Sequence, residues 1–307
     1  MKLNNEAKVV LVVVLGVIFL EIVSRMFEPR LSADVRQMLS QKEIPERIGK
    51  ARSEGRESVL VLGNSLARAS LLESGIRERF VELGRPDPEV LYLAPDGSDI
   101  SDWTAAYRHC FLGRSPSQAP DYILIGTGQT HLEDNPVVSP EKLAAYHAGR
   151  EDYGIILWSW LGTTGERCRF LSASVSRLMA NRERLRPILF YNFVPGFEEV
   201  ARRLNEAEKT EVVPPGERNA SAGRFGLLLD SIPVPPERVM VAAIPLPWSY
   251  RLNKAVLETA EKRGVRVFAV EVLREWPAEA FPDGYHLSAV DGAIYTKAVM
   301  ARLLPQR

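Results

Sequence analysis

The hydrophobic positions of the chain fall into two kinds of segment. From Val9 to Leu20 it reads VVLVVVLGVIFL, apolar without a break, and Ile22 and Val23 follow Glu21. No polar face interrupts the run, so it lacks the striped pattern of a helix packed on a soluble core. A helix from Ala7 to Phe27 would just cross a bilayer core of about 30 Å, with Glu21 near the far interface. Lys2 and Lys8 precede the run and Arg25 and Arg30 follow it, so flanking charge says little about orientation. A cleavable signal peptide is the alternative. Its best site, Leu31-Ser32-Ala33, opens on a leucine where a small residue is needed. An uncleaved anchor over residues 1–27 fits better, with the main domain on the extracytoplasmic side; a cytoplasm-facing domain on the same anchor is the weaker option.

Beyond residues 28–57, a polar connector expected to be helical or loose, the apolar residues come in short runs. Ser58 to Leu62, Val90 to Ala94, Asp121 to Ile125, Arg238 to Ile244 and Val265 to Val272 read as strands, short and apolar enough to be buried on both faces. The first three end in glycine-bearing turns: Gly63-Asn64-Ser65, Pro95-Asp96-Gly97 and Gly126-Thr127-Gly128. Helical spacing follows over Leu66 to Leu83, Ser101 to Leu112, Ser249 to Arg263 and Ala289 to Leu304, with Asp99 or Ser101 as a cap and Gly264 as a stop. Alternating strands and helices predict an α/β domain with a parallel sheet over residues 58–307. The alternation fails at about 130–236, which reads as an insertion or cap. It holds the apolar Ile155 to Trp160, an arginine-rich helix from Glu166 to Arg186, and Pro187 to Phe193 as a further strand or a buried helical turn. A charged helix from Glu198 to Lys209 and a proline-broken stretch complete it.

Composition removes several functions. Lys and Arg number 39, as do Asp and Glu, and 46% of the residues are hydrophobic. A disordered chain is excluded, and a generic nucleic-acid binder lacks the positive excess that phosphates demand. The arginine-rich helix reads as a solvated face rather than a site for an acidic polymer or anionic lipid. Two cysteines, Cys110 and Cys168, exclude a disulfide scaffold, although outside the cytoplasm they could pair. No His or Cys pair has zinc-ligand spacing, so neither metal nor cofactor is expected. The turn Gly63-Asn64-Ser65-Leu66-Ala67-Arg68 lacks the repeated glycines of a dinucleotide site, and Ala67 departs from the Gly-x-Ser-x-Gly elbow.

The remaining chemistry lies at the strand ends. Ser65 stands where the first strand of the body turns into a helix, the edge at which α/β proteins place their sites. Backbone N–H groups and the positive helix end there suit a developing oxyanion; a plain helix cap is the simpler role. A serine needs a base, and His286, one of four histidines, lies in Asp283-Gly284-Tyr285-His286 before the last helix. Asp283 is near enough in sequence to orient the ring. The simpler reading of that segment is an Asp-Gly turn beside a surface histidine.

Together, Gly-x-Ser after the first strand and Asp-x-x-His before the last helix resemble the SGNH (GDSL-type) hydrolase superfamily over residues 58–304, with the middle insertion unmatched. The resemblance implies a flavodoxin-like three-layer α/β/α sandwich. It makes Ser65 the nucleophile and gives His286 and Asp283 the relay. The backbone N–H groups of Ser65 and Gly97 would form the oxyanion hole. The family's Gly-Asp-Ser is Gly63-Asn64-Ser65 here. Its third block carries an asparagine, where this chain has Gly126-Thr127-Gly128-Gln129-Thr130-His131. Gln129, or else His131, would be the substitute donor, although His131 by itself reads as a structural loop residue. The implied activity is that of a membrane-anchored esterase or O-acyltransferase. The implied substrate is an acylated envelope or exported polysaccharide or another ester, and an envelope or polysaccharide-export complex is a possible partner. The missing asparagine leaves one alternative, a degenerate binding or assembly protein of an envelope complex.

Overall fold

The computed structural model describes residues 4–194, 196, 197, 199, 220–269 and 276–305. Contacts divide the chain into two compact units. Ser40–Val138, His147–Tyr153 and Pro214–Arg307 form the sheet unit; Met1–Leu39, Ser139–Tyr146 and Gly154–Val213 form the other.

The sheet unit is built on β1 (Ser58–Leu62), β2 (Glu89–Leu93), β3 (Tyr122–Thr127), β4 (Val239–Ala243) and β5 (Arg266–Phe268). Their order is β2-β1-β3-β4-β5, and every neighbouring pair is parallel. Every residue of β1, β3 and β4 is buried, which is why these strands carry continuous apolar runs rather than alternation. Leu62 is in register with Leu93 and with Ile125. The turns after β1, β2 and β3 therefore open side by side along one edge. The chain leaves β1 towards β2 on one side and later returns to β3 on the other. Ser65 thus follows the strand at which the order reverses.

The expected helix over 66–83 is two helices, α4 (Ser65–Ser70) and α5 (Glu73–Glu82). Leu71 is fully buried at the break, Tyr92 Oη donates to its carbonyl, and the Leu72 N–H turns to Thr296 Oγ1. These partners replace the helical bonds that would have joined the two segments. Asp99 caps α6 (Ile100–Phe111) by accepting from the Ser101 N–H. The expected helix from Ser249 begins later, as α11 (Lys254–Glu261). Asn253 caps it, and Tyr250 is held in the preceding loop by the Ile244 carbonyl. β5 ends at Phe268, and residues 270–272 of the expected strand lie outside the described residues.

Of the two forms expected for residues 28–57, helical or loose, the structure shows the helical one. The segment forms α2 (Ala33–Ser40) and α3 (Ile44–Ser53), and Ile44 and Ile48 belong to the main core. From the middle of the chain, α10 (Gly223–Ser231) joins that core through Phe225 and Leu228. The last helix is α12 (Ala289–Leu303). Helix contacts fall into two groups, α4 and α5 with α12, and α3 and α10 with α6.

The second unit contains the apolar helix α1 (Asn5–Leu31), with mean hydropathy 2.5 over its most apolar window, long and apolar enough to cross a membrane. Packed in the same unit are α7 (Thr164–Val175), α8 (Arg177–Ala180) and α9 (Arg182–Phe193). The stretch from Pro187 to Phe193 is thus helical and not a strand. The arginine-rich helix is interrupted at Ser176 and Asn181, whose positions cap the next helix or end the previous one. Glu28 of α1 is buried, accepting from Tyr146 Oη at 2.6 Å and Asn181 Nδ2 at 3.0 Å. Of the expected helix from Glu198 to Lys209, only Glu199 lies within the described residues.

Candidate active site

The turn after β1 brings Ser65 to the first position of α4, where its backbone N–H has no acceptor within the helix. Asn64 caps that helix: its Oδ1 accepts from the Leu66 N–H at 3.0 Å, and its Nδ2 donates to the Ser98 carbonyl at 3.2 Å. The turn is tight because glycine allows it. A Cβ on Gly63 would come within 2.4 Å of Ala67 Cβ, and one on Gly126 within 2.6 Å of the same atom. These two glycines let α4 press down on the ends of β1 and β3.

The last helix brings the second half of the site. Gly292 of α12 lies so close to α4 that a Cβ there would meet the Ala69 carbonyl oxygen at 2.4 Å. Thr296, one turn on, has its Oγ1 2.8 Å from the Ser70 carbonyl. The loop before α12 therefore arrives above Ser65. Within it Asp283 Oδ1 accepts from the N–H groups of Tyr285 and His286, at 2.9 and 2.7 Å. This closes a turn that faces the other carboxylate oxygen towards the imidazole. Asp283 Oδ2 lies 2.7 Å from His286 Nδ1, and His286 Nε2 lies 2.9 Å from Ser65 Oγ.

The protons follow from the partners. An ionised carboxylate only accepts, so Nδ1 carries the ring hydrogen and Nε2 is left to accept from the Ser65 hydroxyl. Hydrogen bonds from the His286 backbone and ring hold the Asp283 carboxyl down at about 2. The Asp283 side chain is 58% exposed and His286 33%, so the relay is open to water and to a bulky substrate.

Of the expected oxyanion donors, Gly97 occupies the turn after β2 with φ +56°, a left-handed conformation that favours glycine. Gln129 lies in the loop after β3, its Oε1 accepting from Trp248 Nε1 at 3.3 Å. Beside them, Gly97, Ser98, Asp99, Thr130, His131 and Asn135 line an open depression of about 400 Å³. His131 is a loop brace. The Gly128 N–H donates to its Nδ1 at 3.1 Å, which puts the hydrogen of the neutral ring on Nε2. The 3.3 Å approach of Nε2 to Asn64 Nδ2 then sets two donors side by side, and Asn64 bonds to Ser98 instead. Burial holds the His131 pKa down and the ring neutral.

Two aromatic residues beside the relay are not among those that the sequence marks as chemical. Trp248 and Tyr285 lie 5.9 Å apart between ring centroids, and Tyr285 stands edge-on to His286 at 5.6 Å. Their signal was position alone: each sits in a loop at the C-terminal edge of the sheet. The cysteines do not pair; Cys110 is buried and Cys168 exposed, both as free thiols. Among the described residues, no group of three His, Cys, Asp or Glu side chains is placed to hold a metal ion.

Comparison with family models, curated proteins and solved structures returns no match.

Proposed function

We propose that the sheet unit is an SGNH-type hydrolase domain, a flavodoxin-like three-layer sandwich. On this reading the chain is a membrane-anchored, extracytoplasmic serine esterase or O-acyltransferase acting on an acylated envelope or exported polysaccharide. The observation that carries the proposal is the unbroken relay from Ser65 Oγ through His286 to Asp283. The strand order and the two groups of helices support the sandwich.

In this mechanism Ser65 Oγ attacks the acyl carbonyl while its proton passes to His286 Nε2. Asp283 orients the imidazole and offsets its positive charge. The developing oxyanion is held by the backbone N–H groups of Ser65 and Gly97, with the Gln129 amide as third donor. Collapse of the tetrahedral intermediate breaks the ester bond, and His286 returns the proton to the departing alcohol. The acyl group is left on Ser65. Water or a sugar hydroxyl, deprotonated by His286, then takes the acyl group and restores the serine. The Trp248 and Tyr285 rings offer apolar faces with polar edges beside this centre, a surface suited to a sugar ring.

Mixing the full chain in detergent with an aryl acetate tests the reading. A burst of aryl alcohol matching the enzyme concentration, absent in Ser65→Ala, is the expected result. Acceleration of the following phase by an oligosaccharide acceptor would mark a transferase. A folded protein that releases no more aryl alcohol than Ser65→Ala, in a burst or in steady turnover, would support the alternative, a degenerate binding or assembly protein.

A further inference from the structure

The unit that contains α1 carries an apolar stripe on α7. The buried side of α7 is Phe170 and Ala173, while Thr164, Cys168, Leu171 and Val175 are exposed. At 3.6 residues per turn these four positions fall within about 60° of one another. Leu171 is 48% and Val175 74% exposed, and Trp158 in the same unit is 73% exposed, with the Arg167 guanidinium over its ring at 4.9 Å. Single exposed apolar residues are ordinary. An aligned set accompanied by a tryptophan is the pattern of a helix at a membrane interface.

The end of α7 is fastened to α1 at a definite height. Arg25 Nη2 donates to the Val175 carbonyl at 3.1 Å. The next three residues all donate to Glu21: Ser176 Oγ at 2.8 Å, the Arg177 N–H at 2.8 Å and the Leu178 N–H at 3.1 Å. Glu21 directly follows the unbroken apolar run of α1. With Ala7 to Phe27 as the span and Glu21 near its far interface, the bonds to Glu21 and Arg25 hold Val175 near that boundary. The arginines nearby are engaged inside the unit, Arg182 with Glu141, Arg177 with Glu28 and Arg184 with Asp34. The surface therefore fits the boundary between headgroups and acyl chains, and does not depend on anionic phosphate.

We infer that α7 and Trp158 form an interfacial foot that lies on the bilayer crossed by α1, with Cys168, Leu171 and Val175 at the lipid boundary. The inference rests on α1 as a membrane anchor and is independent of the esterase reading.

The exposed thiol of Cys168 allows a direct test, because Cys110 is buried. The full chain is labelled there with an environment-sensitive fluorophore and reconstituted in phosphatidylcholine vesicles. The expected result is blue-shifted emission, quenching by lipid carrying a nitroxide near its headgroup, and protection from aqueous iodide. The double variant Leu171→Glu, Val175→Glu should lose the lipid quenching yet remain with the vesicles through an alkaline wash. Quenching of wild type by iodide but not by spin-labelled lipid, in protein that survives the wash, overturns the foot and leaves the anchor standing. So does lipid quenching that persists in the double variant. Loss of the wild-type chain in the wash overturns the anchor, and the foot with it.

Discussion

Asn64 shows how one side chain joins two loops. Its Oδ1 caps α4 and its Nδ2 donates to the Ser98 carbonyl, so only an amide satisfies both. Asn64→Asp keeps the cap but turns a carboxylate oxygen on that carbonyl. A stability loss of about 1–3 kcal/mol is expected in urea unfolding. Asp283 makes a pH-dependent contribution whose sign is fixed by the direction of its shift. Its folded pKa, about 2, lies below the unfolded value, near 4. The stabilisation is therefore present above about pH 4 and lost as pH falls towards about 2. Asp283→Asn should flatten that acid limb in unfolding midpoints measured between about pH 5 and 3. Ser65, Asp283 and His286 were legible in the sequence because each occupies a chemically telling position in a short motif. The bond from Asn64 to Ser98 and the Trp248–Tyr285 pair were not. Register between β1 and β2 brings the first pair together and packing of remote loops the second, and no local pattern records either.

At the scale of elements, the two halves of the site meet because α12 docks on α4. Gly292 permits the approach, and Thr296 bonds the Ser70 carbonyl and accepts the Leu72 N–H. Gly292→Ala would push a methyl group into the Ala69 carbonyl. The expected cost is about 1–3 kcal/mol, with a fall in kcat for aryl ester hydrolysis as the His286 loop moves off Ser65. Urea unfolding and steady-state kinetics on the same preparation read both. Unchanged kcat would mean that the His286 loop is held independently of this contact. β1, β3 and β4 were legible because burial on both faces leaves unbroken apolar runs. The break between α4 and α5 was not, since bonds from Tyr92 and Thr296, remote in sequence, create it. The interruptions of the arginine-rich helix were missed because a continuous helical spacing conceals Ser and Asn caps.

For the whole molecule, the apolar helix and part of the middle of the chain form one unit, and α3 belongs to the core of the other. Composition alone showed neither partition, because contacts between distant segments decide it. The extracytoplasmic reading predicts that a C-terminal alkaline phosphatase fusion is active in cells and that a fluorescent reporter requiring the cytoplasm is dark; the reverse pair of signals would place the body inside. The central claim, that Ser65 is an activated nucleophile, is tested most directly by treating the folded full chain with a fluorophosphonate and mapping the adduct by peptide mass. The account predicts modification at Ser65, lost in Ser65→Ala and strongly slowed in His286→Ala. Folded wild-type protein left unmodified at Ser65 would contradict it.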